Sequence, residues 1–340
     1  MASLSPLANV AATRGVLEEH GLYAKKSLGQ NFLVNDDILK RIVELAELAG
    51  DDEVLEVGPG IGTLTIALLK NAAHVVSVER DPDLPAVLDD TLDPWRDSFA
   101  LIRKDALDLT EDDVRCAFAS FRAGGQDALA ALPDKFVANL PYAVAATVVL
   151  DYFERFASLK SATVMVQKEV ADRMAADPGN KNYGAYTVKL GLYAQPAGRF
   201  AVGPGNFFPP PHVESSVIRL DRRTPAALER MAEELEHAGV LPCGAGSEKA
   251  PGAEGAGDVR TAADRLRAAT CMMADAAFTN RRKTLANSCK AYFASRGDAG
   301  KATVGKLSAI YERAGIDPRR RGETLSQEEF IALGAAYLQA

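Results

Sequence analysis

The chain has little of what would tie it to a membrane or to an oxidising compartment. Nowhere in its 340 residues is there an apolar run of the ~18 residues that a spanning helix needs. The first twenty residues carry Arg14, Glu18 and Glu19 instead of a basic end followed by an apolar block, so no secretory leader is expected, and a cytoplasmic protein is. The four cysteines, Cys116, Cys243, Cys271 and Cys289, stand far apart, with no C-x-x-C pair and no histidine at metal spacing. Reduced thiols and no metal site are the expectation. Net positive charge is missing as well: the formal charge is -7, which argues against indiscriminate coating of nucleic acid. The basic charge that exists is clustered, at Lys25-Lys26, Arg281-Arg282-Lys283 and Arg319-Arg320-Arg321. These eight residues are the candidate RNA contacts.

What is present is an ordinary globular composition, 47% hydrophobic and 25% charged, on a chain long enough for two domains. Residues 1–21 read as a flexible or helical leader. From there to 221 strands and helices alternate, the pattern of an α/β domain. Beyond about 222 only helical segments are expected, interrupted by a glycine- and alanine-rich stretch at 239–257 that reads as a disordered insertion. Residues 190–201 read as a strand region, and 178–186 as a mobile loop by its glycines and asparagines.

Four successive strands each end in a glycine turn or a polar side chain. Val54 to Val57 leads into Gly58-Pro59-Gly60-Ile61-Gly62, where glycine permits a tight turn and a close approach to a ligand. Ala73 to Val78 ends at Glu79, 21 positions after Gly58, as a ribose-binding acid on a second strand should. Ala100 to Arg103 leads into Lys104-Asp105-Ala106, and Lys135 to Ala138 into Asn139-Leu140-Pro141-Tyr142. Right-handed crossovers bring all four tips to one edge of a parallel sheet. That is a nucleotide-type site.

A dinucleotide and S-adenosylmethionine both suit such a turn. The spacing here is G-x-G-x-G, not the G-x-G-x-x-G that seats a pyrophosphate, and Glu56 beside the turn would repel a diphosphate. The reading is therefore S-adenosylmethionine, with Glu79 on the ribose hydroxyls, Asp105 on the adenine amino group and Gly58 at the close backbone approach. Asn139-Leu140-Pro141-Tyr142 then acquires a role. An exocyclic aryl amine is a poor nucleophile, because its lone pair is delocalised into the ring. Two acceptors, the Asn139 side-chain oxygen and a backbone carbonyl of Leu140 or Pro141, would turn that lone pair toward a methyl group without a strong base. Tyr142 and Phe207 would sandwich the base, at about 1–3 kcal/mol per stacking contact. Phe208 is read equally well as packing beside a proline turn.

These residues fall into motifs that resemble the small-subunit ribosomal RNA adenine dimethyltransferases (KsgA or RsmA type) over about 22–335. The motifs are Lys26 through Leu33, Glu56 through Gly62, Glu79-Arg80-Asp81, Asp105-Ala106, Asn139 through Tyr142, Phe207 through Val213, Phe278 through Asn287 and Gly315 through Ser326. The resemblance implies a Rossmann-like class I methyltransferase domain followed by a small all-α domain. It implies four methyl transfers to two adjacent adenosines near the 3′ end of small-subunit rRNA, in a pre-small-subunit particle, by a monomer with a part in ribosome assembly. It places the cofactor against Asn31, Leu33, Gly58, Gly60, Glu79, Asp105, Ala106 and Asn139. The segments 108–134 and 239–257 exceed the family pattern. Three alternatives stand beside this reading: a large-subunit rRNA adenine methylase, a non-enzymatic assembly factor and a dehydrogenase.

Overall fold

Short runs such as Val54-Leu55, Val75-Val76 and Phe136-Val137 are fully buried, and each is followed by a turn and a helix. A strand buried on both faces belongs in a parallel sheet covered on both sides. The computed structural model, which describes residues 3–25, 29–122, 132–241 and 261–340, has that sheet. In chain order its elements begin α1 (Val10–Glu19), β1 (Phe32–Leu33), α2 (Asp36–Ala46), β2 (Glu53–Val57), α3 (Thr63–Leu69), β3 (His74–Glu79), α4 (Leu84–Thr91), β4 (Phe99–Arg103) and α5 (Glu111–Ala119). They continue with β5 (Lys135–Asn139), α6 (Ala145–Arg155), β6 (Ser161–Gln167), α7 (Lys168–Met174), α8 (Ala185–Gly191), β7 (Ala194–Val202), β8 (Phe207–Phe208) and β9 (Ser215–Arg222). The last five are α9 (Ala226–His237), α10 (Ala262–Phe278), α11 (Leu285–Ala294), α12 (Gly297–Ala314) and α13 (Gln327–Leu338).

Seven strands form one sheet in the order β4-β3-β2-β5-β6-β9-β7. The first five are parallel neighbours, and β9 runs antiparallel to β6. The chain moves outward from β2 to β4 and then returns to β5 on the other side of β2. The strand order therefore reverses between β2 and β5, and the crevice above that point is where open α/β sheets hold ligands.

By contacts the chain divides into two units, Met1–Ala171 with Gln195–Arg222, and Asp172–Ala194 with Arg223–Ala340. The sequence reading has a single boundary at 221; the structure adds the excursion 172–194 to the helical unit. The cause is apolar: Tyr183 and Val188 are buried in that unit's core beside Met273, Leu285 and Phe330. Polar bonds reinforce it, with the Tyr183 hydroxyl donating to the Leu325 carbonyl at 2.9 Å and Gln327 Nε2 to the Val188 carbonyl at 3.2 Å. Part of the expected strand region at 190–201 is helical. Val188, Leu190 and Leu192 imitate a strand's alternation, but Gly184 starts a helix by donating to the Thr187 hydroxyl at 3.3 Å.

The expected leader is a packed part of the first unit. One Asp36 oxygen accepts from Ser3 Oγ and from the Leu4 and Ser5 amides at 2.8–3.1 Å, and Leu17 of α1 is buried in the core. Of the two added segments, residues 123–131 and 242–260 lie outside the described residues, so the expected insertion at 239–257 falls largely there. No described helix is long and apolar enough to cross a membrane.

Candidate active site

β2 ends at Val57, and Gly58, Gly60 and Gly62 follow with φ of 70°, 61° and 89°, a region that L side chains avoid. A Cβ on Gly58 would also stand 3.6 Å from Pro141 Cδ and 3.8 Å from the Asn139 carbonyl. The turn thus brings the β2 tip against the β5 tip. It also leads into α3, whose Thr63 lines the crevice with its hydroxyl unpartnered. Glu56 does not serve as the sequence suggests. Its carboxylate is buried away from the crevice, accepting from Thr65 Oγ1 at 2.8 Å and Ser77 Oγ at 2.6 Å, so it cannot screen ligands by repulsion. Burial pushes its pKa up to about 7, against the pull of the two hydroxyls.

At the β3 tip Glu79 is 8% exposed. Its Oε1 accepts from the Asp81 amide at 2.8 Å. Burial raises its pKa, opposed by the backbone donors of Asp81, Arg80 and Gly60. At the β4 tip Asp105 Oδ1 accepts from the Leu107 amide at 3.0 Å and Oδ2 from Arg80 Nη1 at 2.9 Å. At the β5 tip Asn139 Nδ2 donates to the Asn31 carbonyl at 3.4 Å, which ties the segment after Gly29 to the sheet. Pro141 ends the strand, and its carbonyl accepts from the Val144 amide at 3.2 Å, opening α6. The Tyr142 hydroxyl shares a 2.7 Å hydrogen bond with Ser215 Oγ.

These tips enclose a cavity of about 370 Å³, within the range of small-molecule sites. It is lined by Asn31, Leu33, Gly58, Gly60, Glu79, Asp105, Ala106, Asn139, Leu140, Pro141 and Tyr142, so eleven of the twelve expected site residues meet in one place. The twelfth, Phe207, is corrected. It is 4% exposed and pairs with Leu33 in a two-stranded ribbon, where Phe32 faces Phe208. Phe207 belongs to the core cluster and is not among the residues that line the cavity. Its part is indirect: the ribbon, with the Asn35–Asn206 bond at 2.8 Å, fixes the segment that carries Asn31. Arg80, Lys104 and Thr63 also line the cavity and have no assigned role in the sequence reading. Their adjacency to Glu79, to Asp105 and to Gly62 was the available signal.

Residues 21–236 match the family described as ribosomal RNA adenine dimethylase. A Corynebacterium jeikeium protein named "Ribosomal RNA small subunit methyltransferase A" is 39% identical over 330 residues, covering 96% of this chain and 95% of its own. The chain belongs to the ribosomal RNA adenine dimethylase family. A Streptomyces griseus relative of the same name is 38% identical over 98% of this chain and 97% of its own. The crystal structure of a dimethyladenosine transferase from Plasmodium falciparum has the same fold, with a TM-score of 0.61 at 21% identity, covering 89% of this chain and 95% of that one. The protein is thus an S-adenosylmethionine-dependent rRNA adenine dimethyltransferase, a Rossmann-like class I methyltransferase domain with a helical C-terminal region.

The residues present suit that cofactor. Gly58 leaves the open cradle that a Cβ would begin to fill, Glu79 offers a buried carboxylate to hydroxyl donors, and the Thr63 hydroxyl awaits a partner.

The eight basic residues divide by what holds them. Lys25 Nζ is bound by Asp81 Oδ1 at 2.6 Å and Asp83 Oδ2 at 2.5 Å. Arg281 donates to Glu323 at 2.9 Å, to the Tyr183 carbonyl at 2.7 Å and to the Asn180 carbonyl at 3.1 Å, fastening the loop at 178–186. Arg320 grips Glu329 with both terminal nitrogens and bonds the Thr324 carbonyl. These three side chains are engaged by partners within the fold while remaining partly exposed. Arg282, Lys283, Arg319 and Arg321 are exposed, Arg319 over Asp317 and Arg321 3.9 Å from Glu323. Lys26 lies outside the described residues. The two basic runs are neighbours in the helical unit, because the Leu285 and Ala286 amides donate to the Arg320 and Pro318 carbonyls at 2.7 and 3.0 Å.

Proposed function

We propose that the chain dimethylates N6 of two adjacent adenosines near the 3′ end of small-subunit rRNA, in four transfers, acting as a cytoplasmic monomer on a pre-small-subunit particle. The names of its full-length relatives support the small-subunit target over a large-subunit one. The observation that carries the site assignment is the meeting of Glu79, Asp105, Asn139 and Tyr142 around one cavity at the strand-order switch.

S-adenosylmethionine supplies an electrophilic methyl group on a sulfonium. Glu79 takes the ribose hydroxyls and Asp105, beside Ala106, the adenine amino group. Asn31, Leu33, Gly58 and Gly60 wall the remainder. For the acceptor, Asn139 donates through Nδ2 to Asn31, which leaves Oδ1 for one hydrogen of the target amine. The Pro141 carbonyl is engaged by Val144, whereas the Leu140 carbonyl accepts no hydrogen bond among the described residues. Leu140 is therefore the second acceptor. Two acceptors on the N–H bonds favour a pyramidal nitrogen, and Tyr142 stacks on the ring. Rate comes from orientation, with reacting atoms about 3–3.5 Å apart. As the N–C bond forms the C–S bond would break and a neutral thioether leave. The methylated, positively charged amine would then lose its proton to solvent, so these residues need supply no strong base. Arg282, Lys283, Arg319 and Arg321 meet RNA phosphates.

The test is methyl incorporation from labelled S-adenosylmethionine into small subunits from cells lacking the enzyme, with already methylated subunits and large subunits as controls. Incorporation confined to the first, and mapped to two adjacent adenosines by primer extension, is expected. Equal labelling of large subunits would refute the target.

A further inference from the structure

Asp81 is not explained by the reaction. It does not line the cavity, yet its side chain is 1% exposed and saturated with donors. Oδ1 accepts from Lys25 Nζ at 2.6 Å and from the Asp83 amide at 3.1 Å, and Oδ2 from Gln30 Nε2 at 2.7 Å. Its own amide donates to Glu79 Oε1 at 2.8 Å. Gln30 Oε1 in turn accepts from the Lys25 amide at 2.9 Å. The bond to Asp83 is an ordinary Asx turn before α4. The bonds to Lys25 and Gln30 are not needed for that turn, and they come from a segment more than fifty residues earlier in the chain.

That segment is the one whose Gly29, Gln30, Asn31, Phe32 and Leu33 line the cavity. It is held at one end by Asp81 and at the other by Asn139, through the Asn31 carbonyl. Three carboxylates, Glu79, Asp81 and Asp83, lie within five positions, and Lys25 is the cation that bridges two of them. Removing it would leave like charges crowded beside the ribose acid.

We infer that Asp81 is a positioning residue for S-adenosylmethionine: through its amide it orients Glu79, and through Lys25 and Gln30 it holds the 29–33 wall in place. This rests on the reading that the cavity takes S-adenosylmethionine with Glu79 on its ribose. Burial acts to raise the Asp81 pKa, but bonds from Lys25, Asp83 and Gln30 outweigh it, so the group stays ionised at neutral pH and the latch is charge-assisted.

The test is calorimetric titration of the full chain with S-adenosylmethionine, in wild type, Glu79→Gln, Asp81→Asn, Lys25→Met, Lys25→Arg and the Asp81→Asn/Lys25→Met pair, each first shown folded by circular dichroism. Asp81→Asn is expected to weaken binding about tenfold, the usual weight of a charge-assisted bond. Lys25→Met should weaken it several-fold and Lys25→Arg restore it. The pair should bind no more weakly than Asp81→Asn alone, because both remove one latch. A purely structural Asp81 would lower the melting temperature and leave affinity within twofold of wild type; that result, or independent effects that multiply in the pair, overturns the inference. Wild type that fails to bind would overturn the reading of the cavity itself. Binding that is weakened by Glu79→Gln and untouched at Asp81 and Lys25 would sink this inference alone.

Discussion

Tyr142 and Ser215 share a 2.7 Å hydrogen bond in which the serine is fully buried and the tyrosine is one of the residues lining the cavity. The bond fixes the ring's tilt from outside the site, since Ser215 opens β9 and pairs with Gln167 of β6. Removing the bond from either side, by Tyr142→Phe or Ser215→Ala, is expected to lower kcat/KM on small-subunit particles by roughly fivefold, in line with about 1 kcal/mol for one hydrogen bond. The double variant should match the singles. Tyr142→Ala, which removes the stacking face, should cost about 10–100-fold.

Asn139→Ala should reduce single-turnover methyl transfer by about 10²–10³, the cost of losing one preorganised polar contact to the reacting group. Filter binding to particles should stay within twofold of wild type. Equal loss of binding and transfer would remove Asn139 from the reacting centre.

The buried Glu56 sets a pH dependence of stability. Its folded pKa of about 7 stands above the usual 4.5, so the folded state holds the proton more tightly than the unfolded chain does. Its contribution is full below pH 4.5 and is lost as pH rises through 7. Between pH 5 and 8 the chain should lose on the order of 2 kcal/mol from this group. Glu56→Gln should flatten that part of the profile, as read by urea unfolding at each pH.

The basic residues should separate in two assays. Arg281→Ala and Arg320→Ala are expected to lower stability by about 1 kcal/mol, after allowing for their partial exposure. Arg282→Ala and Lys283→Ala should leave unfolding within about 0.5 kcal/mol. The second pair should weaken particle binding and lower its salt dependence by about one unit of slope per charge. Stability unchanged in the first pair would remove their assigned role as internal ties.

Much of the sheet and of the cavity lining is legible in the sequence. The four strand tips could be read because a parallel sheet leaves a local signature, an apolar run followed by glycine or a polar residue. Asn31 and Leu33 are legible through resemblance alone, since their place depends on pairing with residues 207–208, far away in sequence. That same pairing defeats the reading of Phe207: an aromatic in a proline-rich turn looks the same whether it faces a ligand or a core. The internal ties of Lys25, Arg281 and Arg320 are hidden for a similar reason, because a run of cations does not reveal which members meet carboxylates that arrive from elsewhere in the chain. The 172–194 excursion was hidden by a local alternation that only tertiary burial overrules.

That excursion has a consequence for how the protein is made. No single cut separates the two units: a chain ended at Arg222 would strand Tyr183 and Val188 without the helices that bury them, and a chain begun at Arg223 would lack α8, which packs on α10 and α13. During synthesis the segment 172–194 therefore emerges well before α10 and α13, with its apolar side uncovered, while residues 195–222 are already able to complete the sheet. The helical unit should acquire its protection against proteases only when α13 has emerged and packed on α10, so substitutions that break α13 should destabilise the whole unit, as read by limited proteolysis.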